Sequence, residues 1–254
     1  MKYFIDTEFI ERFHKPWMGK PRHVIDLISI GLVSEDGREY SAISSEYRYE
    51  DASDWVKENV IRPLYVATVH GDMRNHCSAN NFHKLYGKPN ERIAYEIFEF
   101  INPAPPEIRE GDYTFFDWSF GLAFEGLSHE FRLVKDFADQ KPPYMGHMAA
   151  EGWLHAHPTF YGYYCDYDWV LFCSLYGTMM DLPPGYPKYC RDLKQMLDES
   201  VQKSADMNPE ETFDAALSRW KSKAGFPGPD VEHDALADAR WNKRLHQFLI
   251  EKGI

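Results

Sequence analysis

Several things are missing from this chain, and each absence narrows its chemistry. It has only four cysteines, Cys77, Cys165, Cys173 and Cys190, with no C-x-x-C pair among them. That argues against a disulfide framework or a compact zinc site and fits reduced thiols in a cytosolic protein. No uninterrupted apolar run approaches the ~18 residues a membrane helix needs, so no membrane association is expected. The N-terminus opens on strand-forming residues without the apolar core of a secretory signal, so the chain reads as complete and cytoplasmic. Positive charge is scarce as well. A net charge of −12 argues against a broad basic nucleic-acid groove, although bound metal ions can reverse the sign of a local site. There is no internal repeat and no low-complexity tract.

What remains is ordinary in bulk and unusual in places. At 44% apolar and 27% charged residues the composition is that of a globular protein, and 254 residues can bury an ample core. The chain opens with Tyr3-Phe4-Ile5-Asp6-Thr7-Glu8-Phe9, which reads as a β-strand. Strand residues two apart share a face, so the Asp6 and Glu8 carboxylates project together. Two such charges repel unless a cation holds them, and hard oxygen donors suit magnesium or manganese.

A polar connection is expected over Glu11–His23, then a strand over His23–Ser34, a turn at Glu35-Asp36-Gly37 and a third strand over Arg38–Tyr47, together an antiparallel meander. A helix from Asp54 to Val60 is expected to stop before Pro63, and Asn90 to cap a helix through Ile101. The aromatic-rich segment 103–158 reads as an insertion, with short strands at Tyr113–Trp118 and Glu130–Val134. Thr159–Cys165 returns to strand character, followed by a helix from Trp169 to Tyr176 with Gly177 as its stop. Helices are then expected over Cys190–Gln202, from Asn208-Pro209 to Lys223, and over Asp234–Lys252. Strands in a meander followed by β–α alternation indicate an α/β domain with a mixed sheet.

Two further segments carry candidate chemistry. Tyr167-Asp168 sits at a strand–helix junction, where α/β proteins commonly place ligands, with Asp166 as a competing acid. His233-Asp234-Ala235-Leu236-Ala237-Asp238 opens the last helix and supplies another acid and a histidine able to act as a general base. Small Ala235 and Ala239 would let that helix approach the sheet closely. Phe9 and Trp169 are candidates to stack on bases, with core packing the alternative for both. Lys188, Arg191 and Lys194 form a small basic group. The histidines near 70–83 and 147–157 lack zinc-site spacing and read as loop residues.

D-x-E on an N-terminal strand, Y-D at a central junction and H-x-A-x-x-D on a C-terminal helix together resemble the three motifs of the DEDDh 3′–5′ exonucleases. The resemblance is strongest to small bacterial 3′–5′ exoribonucleases of the type of the mycobacterial polyadenylate-specific ribonuclease. Tyr3–Ile10, Leu27–Gly31 with Glu35–Tyr40, and His233–Arg240 all look like that family's blocks, while 103–158 looks like an added segment. The resemblance implies a single domain of ribonuclease-H-like fold, a mixed sheet flanked by helices. It implies Asp6, Glu8, Asp168 and Asp238 as ligands of two Mg2+ (or Mn2+) ions and His233 as the base. Thr7, Phe9 and Trp169 would meet the substrate. The expected partner is the 3′ end of single-stranded RNA, with DNA as the rival substrate and a catalytically silent binding module as a further alternative. A homodimer is also implied.

Overall fold

The architecture was obtained as a computed structural model, which describes residues 1–69, 77–102, 113–117, 122–126, 132–133, 157–203, 211–222, 225–228, 231 and 233–253. It begins with the meander: β1 (Lys2–His14), β2 (Arg22–Ser34) and β3 (Glu39–Ile43) pair antiparallel in order. Gly37 turns the chain between β2 and β3 at φ 93°, a conformation open to glycine at little cost. The first hairpin is much longer than the sequence pattern implies. Pairing continues through Glu11↔Ile25 and Arg12↔Val24 to His14↔Arg22, so both ends of the expected connection at Glu11–His23 are strand and only residues 15–21 form the loop. The polar residues that made it look like a loop are matched across the ladder: Arg12 with Asp26 at 2.6 Å and Glu11 with His23 at 2.6 Å.

Helical structure follows at α1 (Asp54–Val56), a π-wound stretch at Lys57–Ile61 and α2 (Arg62–Val69). The helix therefore passes Pro63 instead of stopping before it. The widened winding shifts the backbone bonding just ahead of the proline, whose missing N–H then falls in the first turn of the next helix. After α3 (Phe82–Tyr86), α4 (Asn90–Ile101) is entered from Pro89, and the Glu46 carboxylate takes the Asn90 amide at 2.7 Å. Asn90 is thus inside the helix and not its cap. His83 is no loop histidine: it is buried and stacked on Tyr47, with ring centroids 4.1 Å apart.

Within the expected insertion, β4 (Tyr113–Asp117), β5 (Leu122–Gly126) and β6 (Arg132–Leu133) form an antiparallel sheet of their own, and the remaining residues of 103–156 lie outside the described residues. β7 (Thr159–Gly162) then lies parallel to β1, α5 (Asp166–Tyr176) follows, and β8 (Arg191–Asp192) lies parallel to β7. The chain ends with α6 (Leu193–Lys203), α7 (Phe213–Lys221) and α8 (Ala235–Glu251). Thr212, not Asn208, caps α7, its side chain accepting the Ala215 amide at 3.3 Å.

The main sheet has the order β3-β2-β1-β7-β8, with β1 at its centre. Alternation in β1 divides the core. Tyr3 and Ile5 join Ile97, Phe160 and Phe172 on the side of α4 and α5, while Phe4 joins Leu197, Trp220, Leu245 and Phe248 on the side of α6, α7 and α8. A third cluster, with Ile10, Ile28, Val60, Ile61 and Phe82, anchors the hairpin to α2 and α3. The result is an α/β protein with a mixed five-stranded sheet between helices. No helix among the described residues is long and apolar enough to cross a membrane.

Candidate active site

β7 pairs with β1 only as far as Phe4, so beyond that point β1 has β2 alone beside it. Asp6 and Glu8 occupy this stretch, opposite Gly31 and Ser29. The register then shifts between Glu8 and Phe9, leaving Ile28 of β2 unpaired in a β-bulge. Bulges of this kind re-aim side chains beside functional sites. The Asn242 side chain of α8 donates to the Ile5 carbonyl at 2.9 Å, tying α8 to β1 just before the acids begin.

α8 brings the third carboxylate. Asp234 caps it, accepting the Ala237 amide at 2.8 Å, and Asp238 lies in the first turn, half-buried. The helix can lie this close to β2 because position 31 is glycine. A Cβ there would sit 2.3 Å from the Ala235 carbonyl oxygen, so any side chain would push the helix away. One oxygen from each of Asp6, Glu8 and Asp238 then falls within 4.8 Å of the others.

Burial and mutual repulsion act in one direction here. Burial pushes Asp6 well above the usual carboxylate range, and Asp168, Glu8 and Asp238 push it further. Glu8 rises to about 8, from burial first and then from Asp238 and Asp168. Asp238 is also raised by burial, against the pull of the His233 amide that it accepts at 3.1 Å. Such a cluster holds protons or a cation. Magnesium takes oxygen ligands at roughly 2.1 Å, which places them about 3–4 Å apart. The three carboxylates need only a small contraction to meet that spacing, so the donor set fits a hard divalent ion.

Asp168 is held differently. It is the third residue of α5 and only 5% exposed. Its Oδ1 accepts both the Thr7 amide at 2.9 Å and the Thr7 hydroxyl at 2.5 Å. Burial raises it to about 6, and the two Thr7 bonds oppose that rise. Asp168 therefore flanks the three-acid cluster, close enough to raise Asp6 and Glu8, while Asp166 points into solvent.

His233 precedes α8 with a left-handed backbone, φ 64°. Its ring meets Trp55 of α1 edge to face, with centroids 4.9 Å apart. Nothing in the sequence pattern around Trp55 tied it to this site, nor Gly31 to the helix above it; both associations are purely tertiary.

The three substrate-contact candidates fare unequally. Thr7 is buried and its hydrogen-bonding groups are committed to Asp168. Trp169 is 8% exposed and stacked on Phe172, with centroids 5.0 Å and planes 11° apart, so it packs in the core and offers no face to a base. Phe9 is half-buried against Tyr167 at 5.5 Å. In the basic group, Lys194 pairs with Asp198 and the Arg191 guanidinium lies 5.8 Å from the centre of the Tyr161 ring, which leaves Lys188 as the exposed member without such a contact.

No family model matches the chain. Two curated proteins of Mycobacterium tuberculosis, from strains CDC 1551 / Oshkosh and ATCC 25618 / H37Rv, are each 26% identical to it over 249 residues. The match covers 98% of this chain and 93% of theirs. Both are named 3′–5′ exoribonuclease, so the chain is similar along nearly its whole length to proteins carrying that name.

Proposed function

We propose that this protein is a metal-dependent 3′–5′ exoribonuclease of the DEDDh type, on a ribonuclease-H-like fold, releasing nucleoside 5′-monophosphates from the 3′ end of single-stranded RNA. The observation that carries this reading is the convergence of Asp6, Glu8 and Asp238 within 4.8 Å on a surface where burial raises all three. The similarity to proteins named for that activity supports it. Magnesium or manganese, two ions in this reading, would be held by Asp6, Glu8 and Asp238 with Asp168 at the flank, and would supply the charge that activates water and stabilises the leaving 3′-oxygen.

The chain's own residues have distinct tasks. His233 takes the proton of the attacking water at its imidazole, an effect on the order of 10²–10⁴-fold. The His233 amide steadies Asp238, and Trp55 limits the swing of the ring. Thr7 fixes Asp168, so adjacent residues of β1 serve the site from opposite faces. The chain is read as one catalytic domain with an added segment at about 103–158, acting in RNA processing in the cytoplasm, in keeping with four free cysteines. A homodimer belongs to the same reading.

The test is incubation with 5′-labelled single-stranded RNA and DNA of matched sequence, with magnesium, manganese or a chelator. The expected result is a ladder shortening from the 3′ end of RNA, lost on chelation. Preferential shortening of DNA would replace this reading with a DNA exonuclease. Binding without cleavage of either strand would leave a silent binding module.

A further inference from the structure

The long hairpin carries residues that the proposed hydrolysis does not use. Its tip, residues 14–23 (HKPWMGKPRH), holds Lys15, Lys20 and Arg22 and no acid, in a chain of net charge −12. All three are exposed, and none makes an ion pair with another described residue. Large apolar groups are equally exposed there: Trp17 is 97% accessible and Phe13 69%. A bare indole beside unpaired cations is an unusual surface for a soluble protein and marks an interaction site.

This tip is joined to the acid cluster by a chain of ring contacts. Phe9, next to Glu8, meets Tyr167, next to Asp168, at 5.5 Å. Tyr167 meets His23 at 5.9 Å, and His23 meets Phe13 at 5.6 Å. Phe9 and Phe13 share the α5 side of β1 by strand alternation, His23 lies opposite Phe13 on β2, and Tyr167 of α5 meets both Phe9 and His23. Four strand residues separate Phe9 from Phe13, roughly 13 Å. At 3.4 Å per stacked nucleotide that is room for about four. On the hairpin itself the acids near this path are matched, Glu11 by His23 and Asp26 by Arg12.

We propose that the β1–β2 hairpin is a binding arm for the single-stranded RNA just upstream of the 3′ end. Lys15, Lys20 and Arg22 meet phosphates, and Phe13, Trp17 and Tyr167 present rings to bases. Alternating cations and aromatic faces grip single strands without reading sequence. The arm also answers an electrostatic problem: an acidic protein must recruit a polyanion, and this tip, which begins about 20 Å along β1 from Glu8, offers three cations without an ion-pair partner among the described residues. The proposal rests on the exoribonuclease reading, and its test separates the two.

The experiment compares the full-length protein with the Lys15→Glu/Lys20→Glu/Arg22→Glu variant and with Trp17→Ala. Fluorescence anisotropy with a labelled single-stranded RNA of about 20 nucleotides, in EDTA, reads the arm without hydrolysis. The triple variant is expected to bind at least about tenfold more weakly at low salt. The slope of log affinity against log salt should fall by roughly 2, since each phosphate contact on a single strand contributes about 0.7. With magnesium, KM for the long RNA should rise at constant kcat, and hydrolysis of a dinucleotide, too short to reach the tip, should be unchanged. Trp17→Ala should weaken long-RNA binding while keeping the salt slope. Unchanged RNA affinity in the triple variant, or an equal loss on the dinucleotide, would overturn the arm. So would a change in oligomeric mass with RNA affinity intact, which would make the tip a protein interface. Wild-type protein that binds RNA through the tip yet cleaves neither RNA would sink the exoribonuclease reading and keep the arm.

Discussion

On the face of β1 that meets α4 and α5, Tyr3 and Ile5 are fully buried and Thr7 closes the row by binding Asp168. On the face that meets α8, Phe4 is buried too, but the next two positions are Asp6 and Glu8, met by Asp238. The same strand thus has one side on which its polar group is satisfied and one on which like charges crowd together. Stability comes from the first, and the capacity to bind a cation from the second. Conflict of this kind is expected at functional sites, where local stability is given up.

The contrast can be broken most sharply at Asp6. Asp6→Asn keeps the shape and removes one repelling charge. Activity should fall by more than about 10³-fold, while the metal-free protein should melt higher than wild type, by about 2–4 °C for each kcal/mol gained. Ribonuclease assays and thermal melts in EDTA check the two halves together, and a lower Tm would show that the acids are not in conflict. Gly31→Ala attacks the approach of α8 instead. With backbone atoms 2.3 Å from the new Cβ, the cost should reach or exceed the ~1–3 kcal/mol typical of overpacking, with activity lost as Asp238 moves away. Denaturant melts and the metal dependence of the remaining activity would read this.

A third prediction concerns pH. Between the ordinary glutamate value of 4.5 and about 8, folded Glu8 keeps a proton that the unfolded chain has released. Stability of the metal-free protein contributed through this group therefore falls as pH rises through that window. Excess magnesium should raise Tm more at about pH 8 than at about pH 5, where protons compete for the same oxygens. Equal shifts at both pH values would count against a carboxylate site.

Smaller effects should come from the satisfied face. Thr7→Val removes the hydroxyl bond to Asp168 and leaves the amide bond, at a cost of about 1–2 kcal/mol, with activity down roughly tenfold. Trp169→Phe should cost least, about 1 kcal/mol, and leave KM for RNA unchanged, because its indole lies in the core and its buried N–H has no partner among the described residues. A raised KM would return Trp169 to the substrate path.

How far the sequence could be read follows from how local each feature is. Asp6 with Glu8, and His233 with Asp238, each lie within one short segment: strand alternation puts the first pair on one face, while the second pair is a weak pattern alone and gains its meaning from the resemblance to the exonuclease motifs. The meander was legible for the same reason, through its turn at Gly37. The length of the first hairpin was not, because Glu11, Arg12, His23 and Asp26 look like loop residues until they are paired across the ladder. The path of the helix past Pro63 depends on the π-wound turn before it. Thr7's hold on Asp168 spans 161 residues, and the contact of Trp55 with His233 likewise has no sequence signature. Gly31 stood in plain sight, but its meaning lies in the helix above it.

The left-handed backbone at His233 has a practical side. Replacing it with alanine would remove the imidazole and also put at φ 64° a residue that visits the left-handed region less readily than histidine, so lost activity would mix two causes. Asparagine visits that region readily and has no basic ring. If His233 is the base proposed above, His233→Asn is expected to abolish cleavage while keeping the melting temperature of the wild type, and an active His233→Asn protein would remove the residue from that role.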